Sequence, residues 1–182
     1  MTQAITGSPF TPGFSISGAT NQNITGSNTE GARIGVVKGC NPYTNSGDPF
    51  NALNPACFFA PSPGSIGLES GINFLYGPSV VNFDMALQKS FSLKERVKFQ
   101  FRVDAFNVFN HPEFSGYNGT LNFNAYPSSG GIVTGLPTIA ATALGRNANG
   151  TFNATGFGTV TQVGAGALGF SRILQTVIRI QF

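Results

Sequence analysis

The chain has 182 residues, a charged fraction of only 9 %, a formal net charge of +3, and abundant glycine (24) and phenylalanine (18). Soluble globular domains carry roughly a quarter charged residues, and the lysines and arginines here form no run or basic helix, which argues against a nucleic-acid partner. No segment reaches the roughly 18 consecutive apolar residues of a membrane helix, and "MTQAITGSPF" lacks the positive start and apolar core of a signal peptide; a span built from strands is not excluded.

Residues 1–78 show little periodicity. The exception is "GFSISG" (13–18), where Phe14 and Ile16 alternate with Ser15 and Ser17, and which reads as the end of a strand. Proline, glycine and asparagine punctuate 19–78 every few residues, so this stretch is expected to be one long loop. Cys40 and Cys57 both fall in it. An even pair suits a disulfide in an oxidising compartment, with two unrelated free thiols as the open alternative; two cysteines alone fall short of a tetrahedral metal site.

A period of two begins abruptly at "VVNFDMALQKSF" (80–91). Val81, Phe83, Met85, Leu87 and Phe91 alternate with Asn82, Asp84, Gln88 and Ser90, and Lys89 is the one charge in the apolar register. After the polar turn "SLKE" (92–95), Val97, Phe99, Phe101, Val103 and Ala105 alternate with Lys98, Gln100, Arg102 and Asp104. The two segments, 79–91 and 96–110, predict a hairpin. Residues 111–170 are again long and glycine-rich, with a short strand expected at "FGTVTQV" (157–163). In the closing segment, 171–182, Leu174, Thr176, Ile178, Ile180 and Phe182 share one face, and Ile173, Gln175, Val177, Arg179 and Gln181 the other.

Alternation alone fits a soluble sandwich as well as a membrane barrel. Length separates them, because a bilayer-spanning strand needs about 9 to 11 residues whereas globular strands have a mode of about 5 to 6. Barrels also have short periplasmic turns and long outer loops. With the closing strand descending to a periplasmic terminus, "SLKE" becomes a periplasmic turn, and 19–78 and 111–170 become extracellular loops. Phe91 and Phe182 then lie at the periplasmic interface, and Lys89 snorkels to the headgroups. Asp84, Lys98, Arg102, Asp104 and Arg179 face the lumen, and a matched register sets Asp84 opposite Arg102.

Several fragments, in order, resemble the C-terminal part of TonB-dependent outer-membrane transporters of the Oar-like type. They are "FFAPSPGSIG" followed by "GPSVVNFD", the "KSFSLKERVKFQFR" hairpin, "AFNVFNHPEF", "FGTV", and a last strand that begins with arginine and ends in phenylalanine. They cover roughly 50–114 and 157–182; "ESGINFLYGP" departs from the usual Gly-Arg-Asn before the Gly-Pro pair. The resemblance implies a barrel of about 22 strands around a plug, in a Gram-negative outer membrane. It implies outer-membrane lipid, the barrel-assembly machinery, and the remainder of the barrel and plug as partners. TonB would be engaged only through an N-terminal part beyond this sequence, of which these 182 residues look like a C-terminal fragment. Phe182 resembles the terminal aromatic that the assembly machinery reads.

Other motifs carry less. "GAGALG" (164–169) fits G-x-G-x-x-G, but an alternating strand follows where a nucleotide site needs a helix. His111, in "FNHPEF", has no triad partner, although Glu113 stands nearby in sequence. Asp84 and Asp104 share a face with Lys98 and Arg102, which favours ion pairing over acid–base catalysis. The sequons at Asn23, Asn118, Asn149 and Asn153 read as compositional. The expectation is an all-β fold, the last antiparallel strands of a transmembrane barrel with long extracellular loops, open as a sheet if isolated. It has no catalytic role, no cofactor and no metal, and contributes to substrate uptake only in the intact transporter. A soluble secreted all-β binding or adhesion module is the alternative.

Overall fold

The computed structural model describes residues 2–27, 29, 31–92, 97–112, 114–146, 149–162 and 172–182. They fall into two compact units, Met1–Gly7 with Ser79–Ser115 and Gln162–Phe182, and Ser8–Pro78 with Gly116–Thr161. "SLKE" beyond Ser92, Glu113 and "GAGALG" lie outside the described residues.

In the first unit three long strands, Met85–Ser92, Lys98–Phe106 and Ile173–Gln181, form one antiparallel sheet with Lys98–Phe106 in the centre. The β-branched and aromatic residues that alternate along each strand are those that fit a pleated, half-covered surface. The expected strand 79–91 is not continuous: Val80–Phe83 pairs with Thr2–Ile5, the ladder breaks at Asp84, and Met85 begins the pairing with Lys98–Phe106. Thr2–Ile5, only four residues long, carries no alternation that sequence reading could detect. The second expected strand stops at Phe106 rather than at 110, because Asn107 and Asn110 take positive φ values of 47° and 51° and turn the chain out of the sheet.

The second unit holds the hydrophobic core. Ile16, Ile24, Ile34, Leu53, Cys57, Phe58, Ala60, Leu75, Leu121, Phe123, Ala143 and Phe157 are its buried members. None belongs to the long strands. Residues expected to be extended loop therefore fold on themselves. The segment read as the end of a strand, 13–18, forms Gly13–Ile16 and pairs in parallel with Thr120–Phe123, with Leu121 opposite Phe14 and Phe123 opposite Ile16. Thr20 donates its amide N–H to Asn23 Oδ1 at 2.9 Å, half of a capping box at the start of the short helix Asn21–Thr25. Val160–Gln162 forms a strand inside the predicted 157–163. Cys40 and Cys57 are joined as a disulfide, their Cα atoms 5.5 Å apart. Gly158, at φ 78°, brings backbone against Leu53, where a Cβ would lie 2.9 Å from the Leu53 amide nitrogen.

Candidate functional site

The three-stranded sheet has two chemically different faces, and its register fixes which side chains share each. Met85, Ala105 and Leu174 form one cross-strand row, followed by Leu87, Val103 and Thr176, then Lys89, Phe101 and Ile178, then Phe91, Phe99 and Ile180. Because side chains alternate faces, the rows between belong to the other side. These are Ala86, Asp104 and Gln175, then Gln88, Arg102 and Val177, then Ser90, Gln100 and Arg179, then Ser92, Lys98 and Gln181. Every residue of Met85–Ser92 is exposed. Leu87, Leu174, Ile178 and Ile180 are exposed by 70, 66, 59 and 58 %, so a large aliphatic surface is left uncovered among the described residues.

On the more polar face, Gln100, Arg102, Asp104, Gln175 and Arg179, with Phe106 and Val177 between them, line a hollow of about 390 Å³. Arg102 Nε lies 2.9 Å from the Asp104 carboxylate, two residues along the same strand. With half of the Arg102 side chain exposed, such a pair contributes at most about 1 kcal/mol, but it neutralises the one acid of this hollow. Lys98, Arg102, Asp104 and Arg179 are thus brought to one face. Asp84 is not opposite Arg102: Gln88 is, and the expected pairing is corrected by four residues of register. The expectation assumed one unbroken hairpin strand, whereas Asp84 occupies the break.

At the end of the sheet nearest residues 93–96, Phe91 and Phe99 are cross-strand neighbours with ring centroids 6.4 Å apart. Phe182, fully exposed, follows Ile180 in the same alternation and belongs to the same end. Lys89 leans toward this end, its Nζ 5.8 Å from the Phe91 ring. A cation over the ring face keeps its charge near the aromatic edge of the sheet instead of its middle.

The opposite end is closed by an asparagine knot that sequence reading overlooked. Asp84 Oδ1 accepts the Asn107 backbone N–H at 3.1 Å, and the Val108 N–H donates to the Phe83 carbonyl at 3.0 Å, so the break in the first strand is pinned to the second. Asn107, 1 % exposed, uses its side-chain amide as a substitute peptide: it accepts the His111 N–H at 2.9 Å and donates to the His111 carbonyl at 3.0 Å. Asn110 Oδ1 accepts the Arg172 N–H at 3.3 Å, tying in the closing strand. Phe83 and Phe109 stack edge to face at 5.2 Å beside it. His111 enters through its backbone, and its imidazole plays no part in these bonds. The available signal was the repeated Phe-Asn in "AFNVFNHPEF", since asparagine tolerates positive φ and bonds locally.

Two exposed faces of opposite chemistry, on strands of eight or nine residues, are the arrangement of a wall between lipid and water. Nine residues extend roughly 30 Å, and at the usual tilt of about 40° they rise about 23 Å, close to the roughly 25 Å apolar band of such walls. A family model described as "Outer membrane beta barrel domain" matches residues 1–175. No curated protein and no solved structure gives a significant match.

Proposed function

The chain belongs to the outer membrane beta barrel domain family, and from that premise we propose that its long strands are a section of the wall of a TonB-dependent transporter of the Oar-like type. The fold is all-β with open sheets, and the family's place is the outer membrane. The observation that carries the reading is the sheet itself, with its mostly apolar rows on one side and Lys98, Arg102, Asp104 and Arg179 on the other, the last three lining a hollow.

In this reading Leu87, Ile178 and their row neighbours meet lipid, and the charged residues line the lumen. The aromatic end with Phe91 and Phe182 is periplasmic, and the asparagine knot lies at the outer rim. Both outer edges of the three-stranded sheet lack a full-length partner among the described residues. Unpaired edge groups cost several kcal/mol each in lipid, so the wall needs further strands, which the barrel-assembly machinery would join to it around a plug. Uptake of a substrate then belongs to the closed barrel, with TonB acting on the plug. No catalytic group is assigned to this chain.

Antibody capture of the chain from solubilised outer membranes tests this. Co-purification with plug and TonB-box peptides, and heat-modifiable migration of the captured species, are the expected results. Recovery as a detergent-independent monomer in the aqueous fraction would overturn the wall, and a barrel captured without a plug would overturn the TonB-dependent type.

A further inference from the structure

We propose that the more polar face of the long sheet holds the phosphate group of a phosphate monoester between Arg102 and Arg179, with Gln100 beside them. The proposal rests on the wall reading for its setting, because it names the class of solute that the lumen side takes. In the register Gln100 lies directly opposite Arg179, and Arg102, two residues further along the same strand, lies diagonally across from Arg179. Diagonal neighbours of this kind are roughly 7–8 Å apart, within reach of long side chains. All three line the hollow of about 390 Å³, a size within the roughly 300–1,000 Å³ of small-molecule sites. Arg179 is exposed and the Arg102 side chain is 49 % exposed, so both guanidinium groups are open to a dissolved ligand.

Charge decides the ligand. The four rows of this face carry Arg102, Arg179 and Lys98 against one acid, Asp104, so three cations less one acid leave two positive charges. Asp104 engages Arg102 through Nε, and neither Arg179 nor Lys98 has an ion-pair partner among the described residues. Like charges placed as cross-strand neighbours destabilise a sheet, and a chain that is only 9 % charged nevertheless collects three cations here. A bound anion removes that cost. A phosphate monoester brings a charge of about −1.5 to −2 near pH 7 and three acceptor oxygens, which matches the two uncompensated charges. The planar fork of Arg179 can take two of those oxygens, and the Gln100 amide opposite it is placed to donate to the third. A cation would meet repulsion at this face, and an apolar ligand would strip water from the charges without replacing it. Inside a closed lumen the low-dielectric walls would focus the same field and concentrate anions along it.

The test is arginine side-chain NMR on the full chain in maltoside micelles, titrated with inorganic phosphate at about pH 8, above the second ionisation of a phosphate. Putrescine, D-glucose and sodium chloride at matched ionic strength serve as controls. Saturable shifts of the Arg102 and Arg179 Nε–H signals with phosphate alone are expected. Arg179→Gln should weaken phosphate roughly tenfold, the equivalent of one lost hydrogen bond to a charged group. Lys89→Gln, on the opposite face, should leave the affinity unchanged. Unshifted arginine signals, an equal response to chloride, or equal losses in the two variants would each overturn the proposal. A lipid-facing period along residues 174–181 with no response to phosphate would overturn this inference and leave the wall standing. Phosphate binding without that period would support the anion site and overturn the wall.

Discussion

Asn107 does several jobs with one side chain. It takes a positive φ that alanine resists, it is buried, and it satisfies both backbone groups of His111 while its own N–H reaches Asp84. Replacing it by alanine removes those bonds and adds backbone strain, with an expected cost of about 2–4 kcal/mol. Asn107→Gly keeps the conformation and loses only the side-chain bonds, so it should cost about 1–2 kcal/mol less. Urea unfolding of both variants in lipid vesicles checks the order; equal costs would mean that the backbone conformation is irrelevant. Asp48 offers a residue-level test of pH dependence. The Phe50 N–H and the Arg146 guanidinium hold its carboxyl below the ordinary 3.8. A depressed folded value stabilises above the unfolded one and is lost as pH falls through the folded one, so the link between 48 and 146 loosens only in strong acid. Arg146→Gln should move the Asp48 titration, followed by carboxyl-carbon NMR, upward toward its ordinary value. An unmoved titration would contradict the pairing.

Each long strand presents an element that its sequence announced by alternation, because period two survives whichever medium covers the faces. The break at Asp84 was not announced. Val81, Phe83, Met85 and Leu87 keep the alternation straight through it, and only the change of partner from Thr2–Ile5 to Lys98–Phe106 marks it. Pairing is a long-range property, and the register error at Arg102 has the same origin. The two faces make a paired prediction. Leu87→Arg, in the second of the four rows on the mostly apolar face, should destabilise the wall by about 2–4 kcal/mol, the cost of a charge near the bilayer midplane. Gln88→Arg, one residue on and facing the polar hollow's side of the sheet, should change stability by less than about 1 kcal/mol. Equal penalties, read from unfolding in vesicles, would mean that the faces are not distinguished by lipid.

For the whole molecule, what composition concealed was where the core sits. Ile24, Ile34, Leu53, Phe58 and Leu75 are spaced without period among glycines, prolines and asparagines, so no helical or strand pattern revealed that they converge. The pairing of Gly13–Ile16 with Thr120–Phe123 joins residues over a hundred positions apart and was equally invisible. The cysteine pair was the one clue that this stretch holds a fixed shape. Its bond spans 17 residues, and a closed loop of that size stabilises by about 3 kcal/mol. Cys40→Ala with Cys57→Ala should therefore open the second unit to proteolysis while leaving the long strands protected in lipid; loss of both together would show a single cooperative fold. The central claim is that the sheet separates lipid from water, and spin labels placed singly along residues 174–181 in outer-membrane vesicles test it most directly. Collision with oxygen should peak at 174, 176, 178 and 180, and collision with a water-soluble nickel chelate at 175, 177, 179 and 181. A profile without this two-residue period, or one with nickel access equal on both faces, would contradict the account.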